Sequence, residues 1–170
     1  MDLKDYIRDV PDFPQPGILF KDITPLLKDP AAFGNVVQRF AEHYEDRQVD
    51  VVVGIEARGF LLAAPLAFRL GKPLVPVRKV GKLPFETHSV TYALEYGDDT
   101  VEVHTDAISG GQRVLVVDDL LATGGTLAAG AGLVEEAGGR LAGLAVLVEL
   151  SELKGRERLP GHEVLSLVEY

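Results

Sequence analysis

The chain has 170 residues, of which 46% are apolar and 25% are charged, a balance typical of one folded domain that excludes disordered and collagen-like chains. It has no cysteine, which excludes a disulfide framework, a zinc–thiolate site, an iron–sulfur cluster and a thiol nucleophile. Its net charge of −9 argues against a general nucleic-acid binder, because a phosphate backbone would be repelled.

The first 30 residues are predicted to lie outside the main sheet. Leu3, Ile7 and Val10 would share one side of a helix, which predicts a short amphipathic helix over residues 2–10. Prolines are frequent after it, so we expect this segment to cover one end of the sheet. Its charged start lacks the apolar core of a signal peptide, and the longest uncharged apolar stretch, residues 60–68, is far shorter than the ~20 residues of a membrane span. We therefore expect a cytoplasmic protein that does not bind a membrane.

From residue 30 on, apolar strands alternate with helices. Asp29 is placed to cap a helix that starts at Pro30 and carries an apolar stripe as far as Tyr44. Two further helices are predicted at residues 60–70 and about 126–137, each followed by glycine. Continuous apolar runs predict five buried strands, at residues 49–55, 74–78, 113–117, 141–148 and 164–168.

Residues 79–104 interrupt this alternation. Glycine, proline and two lysines predict a mobile loop at residues 79–89. The alternating stretches 90–96 and 100–104 flank a turn at Gly97 and predict an antiparallel hairpin. The whole pattern predicts an α/β fold with a five-stranded, mostly parallel sheet flanked by helices. We expect one domain over residues 1–170.

Residues 114–126, VLVVDDLLATGGT, combine a buried strand, two acids, a loop with adjacent glycines and the start of a helix. Ligands of open α/β sheets bind beyond the carboxyl ends of strands, where a helix N-terminus offers free N–H groups to an anion. Gly124 and Gly125 allow a phosphate to approach closely, and a threonine on either side adds a hydroxyl donor. Asp118 and Asp119 suit sugar hydroxyls. The loop therefore suits a ribose 5-phosphate; the alternative is a surface turn with two solvated acids.

A second loop with anion-binding capacity follows an earlier strand. Residues 54–60, GIEARGF, can offer backbone N–H groups at Ala57 and Gly59 and the guanidinium of Arg58. The alternative is a helix entry with a surface arginine. Two such loops at one sheet edge suggest a ligand with phosphate groups at both ends.

These segments resemble the type I phosphoribosyltransferase family, and the resemblance covers nearly the whole chain. The loop at residues 117–126, VDDLLATGGT, is similar to the phosphoribosyl-diphosphate motif of that family, in the form typical of its adenine-specific branch. Other segments agree in order: DFPQPGILFKDITPLLKDP at 12–30, GIEARGF at 54–60, VRKVGKLP at 77–84, LEYG at 94–97 and VELSELKGRERL at 148–159. A local departure is the loop tip at residues 85–88, where family members vary. The resemblance implies a type I phosphoribosyltransferase-like fold with a small N-terminal hood over residues 1 to about 30 and a β-hairpin lid within residues 79–104.

The resemblance also implies a role for each matching residue. Asp118 and Asp119 would bind the ribose hydroxyls. The 5-phosphate would be held by Ala122, Thr123, Gly124, Gly125 and Thr126. The diphosphate would be held, around an unusual peptide geometry near Glu56–Ala57, by Ala57, Arg58, Arg78, Lys79 and Lys82, some of them across a dimer interface.

The base and the reacting bond would be served by other segments. Phe20 would stack on adenine with Leu120 on the opposite face, while backbone groups near Leu19 and Lys21 would read the purine edge. Glu95 and Tyr96 would ride on the hairpin lid. Glu95 would take or relay the purine ring proton or stabilise the ribosyl cation, and Arg58 would assist the departure of diphosphate; the alternative for Glu95 is a solvated hairpin acid.

The implied reaction joins adenine to phosphoribosyl diphosphate and gives AMP and diphosphate, in purine salvage. The implied cofactor is Mg²⁺, held mainly by the substrate's diphosphate and ribose hydroxyls with no direct protein ligand. A homodimer is the expected assembly, with no nucleic-acid partner. The four histidines show no metal-binding spacing. The charged segment ELKGRERLPGH is expected to be solvated, or to pack at a subunit interface.

Two other functions remain open on the sequence. The same fold could belong to a regulator that senses phosphoribosyl diphosphate and binds DNA, although the chain lacks a basic extension and its charge opposes DNA binding. The transferase could also act on another base, because base selectivity depends on a few backbone hydrogen bonds that a sequence does not display.

Overall fold

A computed structural model describes residues 1–94 and 97–170 of the chain. The helices are α1 (Thr24–Lys28), α2 (Pro30–Tyr44), α3 (Arg58–Leu70) and α4 (Gly125–Glu136). The strands are β1 (Arg8–Pro11), β2 (Leu19–Asp22), β3 (Val51–Ile55), β4 (Leu74–Lys79), β5 (Thr87–Ala93), β6 (Asp98–His104), β7 (Arg113–Leu121), β8 (Arg140–Glu149) and β9 (Val164–Glu169). Within the described parts of the chain, no helix is long and apolar enough to cross a membrane.

The five predicted strands form the parallel part of the main sheet, in the order β4-β3-β7-β8-β9. The hairpin β5–β6 does not stand apart from them. Strand β6 pairs antiparallel with β4, Arg78 opposite Glu102 and Lys79 opposite Val101, so the continuous sheet has seven strands. This pairing involves the charged end of β4, at the last residue of the predicted strand and the one after it, and depends on a partner strand more than 20 residues away, so the sequence pattern did not indicate it.

Apolar side chains on both faces of the sheet hold the layers together. Phe40 of α2 and Leu66 of α3 are fully buried in the core on one face, and Leu133 of α4 is fully buried in the core on the other. The neighbouring residues Val52 and Val53 of β3 belong to opposite cores. Burial on both faces explains why these strands are continuous apolar runs.

The predicted helix boundaries are confirmed where capping residues set them. The carboxylate of Asp29 accepts hydrogen bonds from the N–H groups of Ala31 and Ala32, both at 2.9 Å, and Pro30 is the first residue of α2. Helix α3 ends at Gly71, which has φ +64°.

The helix predicted over residues 2–10 is wrong. Residues Leu3–Tyr6 form one 3₁₀ turn, and β1 then pairs antiparallel with β2 in a separate two-stranded sheet, Val10 opposite Phe20. The residue before a proline disfavours the helical region, so the chain is already extended at Val10, before Pro11. Leu3 and Ile7 are buried as predicted. The N-terminal segment therefore lies outside the main sheet, as expected, but is built on a small ribbon.

Candidate active site

A cavity of about 330 Å³ opens beyond the carboxyl ends of β3 and β7. Its walls come from the entry to α3, from the end of β4 and from the β7–α4 connection. It is lined by Glu56, Ala57, Arg58, Lys79, Asp118, Asp119, Leu120, Leu121, Ala122, Thr123, Gly124, Gly125, Thr126 and Leu127. The two loops predicted to bind anions therefore face one cavity, at the position where open α/β sheets bind ligands.

The backbone builds one half of this cavity. Gly124 has φ +86° and precedes α4, whose first turn receives no cap from any side chain that the structure describes, so its N–H groups are available to bind an anion. A Cβ at Gly124 would lie 2.3 Å from the carbonyl oxygen of Gly155. Glycine is therefore required at this position both by the backbone conformation and by a close contact behind the loop. We call residues 122–126 the phosphate loop.

The two acids at the end of β7 are buried and are coupled to Arg58. The side-chain oxygen Oδ1 of Asp118 accepts a hydrogen bond from the Asp119 N–H at 2.9 Å, and Nε of Arg58 lies 2.6 Å from Oδ2 of Asp119. Burial, together with the charge of Asp119, raises the pKa of Asp118 well above its ordinary value. A Cβ at Gly59 would lie 2.9 Å from Asp118 Oδ1, so the α3 backbone touches the acid. The sequence signal for this contact was the glycine following Arg58.

Glu56 organises the basic residues at the rim of the cavity. Its carboxylate accepts hydrogen bonds from the Lys79 N–H at 2.8 Å, from Lys82 Nζ at 2.8 Å and from Arg78 Nη2 at 3.1 Å. Burial opposes ionisation of this carboxyl, but the three donors outweigh it and lower the pKa of Glu56 to about 2. The peptide bond between Glu56 and Ala57 is cis, the unusual geometry predicted there. Sequence reasoning gave Glu56 no role, because its partners lie 22 to 26 residues away.

The hairpin contributes contacts to Lys79 and to the phosphate loop. The ammonium of Lys79 pairs with the carboxylate of Asp99 and lies 3.4 Å from the Tyr92 hydroxyl. The same hydroxyl lies 3.4 Å from Oγ1 of Thr126. Tyr92 therefore connects β5 with both halves of the cavity, a role that sequence reasoning missed. Glu95 and Tyr96, predicted for the lid, lie outside the described residues.

The predicted adenine-binding residues sit beside the cavity rather than in its lining. The Phe20 ring centroid lies 5.0 Å from the guanidinium carbon of Arg58. Leu19 is about half exposed, while Lys21 pairs with Asp9 at 2.6 Å and lies over the Tyr170 ring. Of the four residues predicted for the base, only Leu120 lines the cavity.

Three of the predicted basic residues are distributed between the cavity and its rim. Lys79 lines the cavity, whereas Arg78 and Lys82 are drawn to Glu56 and are absent from the lining. Among the described residues, no three His, Cys, Asp or Glu side chains are grouped as metal ligands. Two of the histidines are near carboxylates instead, His43 with Glu163 and His88 with Glu136.

The charged segment after β8 packs behind the phosphate loop. Most of its side chains are exposed, as predicted, but Gly155 and Leu159 are buried. A Cβ at Gly155 would lie 2.4 Å from the carbonyl oxygen of Ala122. The expectation of a solvated segment is therefore wrong at these two residues, because the loop backbone covers Gly155 and the apolar core contains Leu159.

Comparisons with known proteins agree over the whole chain. The family described as phosphoribosyl transferase domain matches residues 23–167. The chain is 59% identical over 169 residues to an adenine phosphoribosyltransferase of Solibacter usitatus, covering 99% of this chain and 98% of that protein. The crystal structure of adenine phosphoribosyltransferase from Thermoanaerobacter pseudethanolicus has a TM-score of 0.96 and 54% identity, over 99% of this chain and 98% of that one. The Saccharomyces cerevisiae adenine phosphoribosyltransferase, complexed with D-2,5-dideoxy-2,5-imino-altritol 1,6-bisphosphate and adenine, has a TM-score of 0.92 and 41% identity, covering 97% and 96%.

Proposed function

The chain belongs to the adenine phosphoribosyltransferases of the phosphoribosyl transferase family, and from this premise we propose how its own residues serve the reaction. The enzyme transfers the 5-phosphoribosyl group from phosphoribosyl diphosphate to adenine, giving AMP and diphosphate, in purine salvage. The observation that carries the assignment of roles is the single cavity in which the phosphate loop faces Arg58.

The ribose 5-phosphate half of the substrate binds at the end of β7. The phosphate accepts hydrogen bonds from the free N–H groups of the phosphate loop and from the hydroxyls of Thr123 and Thr126. Asp118 and Asp119 bind the two ribose hydroxyls. Their position supports this role, because both side chains line the cavity next to the phosphate loop.

The diphosphate half binds at the entry to α3. The backbone at Ala57 and the guanidinium of Arg58 hold it from one side, and Lys79 reaches it from β4. Arg78 and Lys82, which Glu56 holds at the rim, supply further positive charge close by. These cations stabilise the negative charge that develops on the leaving diphosphate.

Adenine binds between the hood, formed by residues 1 to about 30, and the end of β7. Phe20 stacks on one face of the base and Leu120 contacts the other, while backbone groups at Leu19 and Lys21 form hydrogen bonds with the purine edge. The position of Phe20 near Arg58 supports this arrangement, because it brings the hood to the diphosphate end of the cavity.

Breaking the bond between the ribose C1 and the diphosphate oxygen builds positive charge on the sugar. Glu95 takes or relays the proton of the purine nitrogen, or stabilises the ribosyl cation, and Tyr96 closes over the site with it. The hairpin lid excludes water, which would otherwise hydrolyse the activated sugar. Catalysis rests on positioning and electrostatics, without a covalent intermediate.

The donor set fits a magnesium ion held by the substrate. Two adjacent acidic side chains, Asp118 and Asp119, line the cavity and would hold the ribose hydroxyls of a substrate that carries the ion. When bound, Mg²⁺ neutralises charge on the diphosphate. Because the oxygen ligands come mainly from the substrate, no dedicated protein ligand is required.

A cytoplasmic homodimer, each copy folded as one domain over residues 1–170, is the proposed assembly. Helix α3 supports it with an apolar surface: Phe68 is 91% exposed and Leu61 is 46% exposed, seven residues apart on one helix face. A second copy of the chain would cover this patch, and basic residues near the rim could then cross the interface.

The direct test incubates the protein with phosphoribosyl diphosphate and Mg²⁺ and each base in turn, and separates the nucleotides by chromatography. We expect AMP from adenine and no nucleotide from hypoxanthine, guanine, xanthine or pyrimidines. A different nucleotide would overturn the roles of Phe20 and its neighbours while leaving the phosphate sites intact. If no base yields a nucleotide, the proposed transferase activity is refuted.

A further inference from the structure

The segment after β8 contains contacts that the proposed reaction does not use. Its second 3₁₀ turn, Gly155–Arg158, lies directly behind the phosphate loop. The contact is backbone to backbone: Cβ atoms added at Gly124 and at Gly155 would collide with Gly155 O at 2.3 Å and with Ala122 O at 2.4 Å, respectively. Because no side chain separates the two backbones, a shift of Gly155 moves the phosphate loop.

Arg156 connects this turn to strands β8 and β9 through hydrogen bonds. Its Nε and Nη2 donate to the two carboxylate oxygens of Glu149 at 2.8 and 2.7 Å, Nη1 donates to the Val164 carbonyl at 3.0 Å, and Nη2 donates to Ser166 at 3.1 Å. Glu149 is the last residue of β8 and is buried. The hydrogen bonds from Arg156 lower the pKa of Glu149, so the pair stays ionised. A bidentate arginine–carboxylate pair fixes direction as well as distance.

We propose that Arg156 is a positioning residue for the phosphate loop: its pairing with Glu149 holds Gly155 against Gly124 and so sets the spacing of the loop N–H groups around the ribose 5-phosphate. The inference rests on the proposed function, since it takes this loop as the phosphate site. A loop that is already held in its bound conformation loses little conformational entropy when the ligand binds.

A second ion pair supplies a matched control. Arg47 donates to Glu163 at 2.5 Å and so ties the end of α2 to the start of β9, at the opposite end of that strand from Glu169 and the site. Both pairs join an arginine to a carboxylate near β9, but Arg156 holds a buried carboxylate through two nitrogens, whereas Arg47 holds a half-exposed one through a single nitrogen. Only the Arg156 pair adjoins the phosphate loop, so Arg47→Gln controls for the loss of an ion pair at this edge of the sheet, and Arg156→Lys, which keeps a positive charge beside Glu149, controls for the cost of leaving that carboxylate unpaired.

The experiment compares Arg156→Gln, Gly155→Ala and Arg47→Gln with the wild type. Calorimetry gives the Kd of ribose 5-phosphate and of AMP, steady-state kinetics gives the KM of both substrates, and Tm reports folding. For Arg156→Gln and Gly155→Ala we expect about tenfold weaker binding of ribose 5-phosphate and AMP and a similar rise in KM for phosphoribosyl diphosphate. The KM of adenine, which has no phosphate, should stay within about twofold, as should every constant of Arg47→Gln.

Unchanged ribose 5-phosphate affinity in Arg156→Gln, with Tm lowered as in Arg47→Gln, would overturn the proposal. Should Arg156→Gln fail to fold, Arg156→Lys keeps the charge but loses the bidentate geometry, and we expect its ribose 5-phosphate Kd to rise about threefold; wild-type affinity in that variant would overturn the proposal equally. A wild type that binds ribose 5-phosphate but makes no AMP would refute the proposed function and leave the role of Arg156 to be decided by the binding constants alone.

Discussion

The two ends of the cavity are built in different ways. At the phosphate loop, the proposed site consists mainly of backbone N–H groups, and the loop is packed against Gly155 from behind. At the proposed diphosphate end, side chains supply the positive charge, and carboxylates of the protein already hold three of them: Glu56 holds Arg78 and Lys82, and Asp99 holds Lys79. On this assignment the phosphate loop is in place before the substrate arrives, whereas these three cations would exchange a carboxylate for the diphosphate.

This difference suits a transferase that must release one end of its substrate. The 5-phosphate stays attached to the product, so a fixed backbone site can hold it throughout. The diphosphate leaves, and carboxylates that compete for the same cations favour its departure. Substitutions should therefore act through geometry at the first end and through charge at the second.

The largest effect is expected from Gly124→Ala. The added Cβ would lie 2.3 Å from Gly155 O at a backbone φ of +86°, so the loop must move. We expect kcat/KM for phosphoribosyl diphosphate to fall about 100-fold, or ~2.7 kcal/mol. The matched control is Gly132→Ala in α4, where the nearest atom is 3.9 Å away and alanine favours the helix, so activity should be kept. Equal activity in the two variants would show that the loop is not held from behind.

Arg58 pairs with Asp119 at one end of the cavity and is proposed to bind diphosphate at the other. The substitution Arg58→Gln should therefore have the next largest effect. It removes positive charge from the diphosphate site and from Asp119, which would then be buried without its guanidinium partner. We expect kcat/KM to fall about 30-fold, or ~2 kcal/mol. Arg39→Gln, on the exposed side of α2, is the control in the same kinetic assay. A loss confined to stability, with kcat/KM per folded molecule unchanged, would contradict the role of Arg58.

Glu56 gives the diphosphate end a pH-dependent contribution to stability. Its pKa is about 2 in the folded protein against an ordinary value of 4.5, so the stabilisation is fully present above about pH 4.5 and is lost as the pH falls toward 2. Glu56→Gln should lower Tm by about 3 °C at pH 7, or ~1 kcal/mol, and the gap should close in acid. Glu135→Gln on the exposed face of α4 should show no gap at either pH. A gap that persists unchanged near pH 2 would refute this account.

Asp99→Asn should have the smallest effect, and in the opposite direction. Removing the carboxylate releases Lys79 for the substrate, so the KM of phosphoribosyl diphosphate should fall about threefold, as befits a partly exposed ion pair. The neighbouring exposed acid supplies the control, because Asp98→Asn removes one negative charge equally without freeing Lys79. A KM that rises in Asp99→Asn would mean that the pair helps to bind the substrate.

The sequence predicted the backbone-built end far better than the side-chain-built end. Adjacent glycines after a buried strand and two acids are local signals, and the structure brings these residues together as expected. The role of Glu56 depends on partners in another strand and its following loop, and the support from Gly155 depends on a segment 31 residues beyond Gly124 in the printed sequence. A local sequence pattern does not indicate contacts between segments that lie so far apart in the chain.

Prediction of the fold from the sequence also succeeded only where the signal is local. Apolar runs and capping residues located the five parallel strands and the helices α2, α3 and α4, because each is specified within its own segment. The apolar spacing of Leu3, Ile7 and Val10 is compatible with a helix, but pairing with β2 and the proline after Val10 favour a strand there. The attachment of the hairpin to β4 likewise depends on a distant pairing.

A crystal structure of the protein with AMP would test the central claim most directly. The account predicts the phosphate within hydrogen-bond distance of the N–H groups of the phosphate loop, the ribose hydroxyls on Asp118 and Asp119, and the base against Phe20. It also predicts that the loop backbone moves by less than about 1 Å from its position without ligand. A phosphate bound elsewhere, or a phosphate loop that rebuilds itself around the ligand and leaves Gly155, would contradict a preformed site.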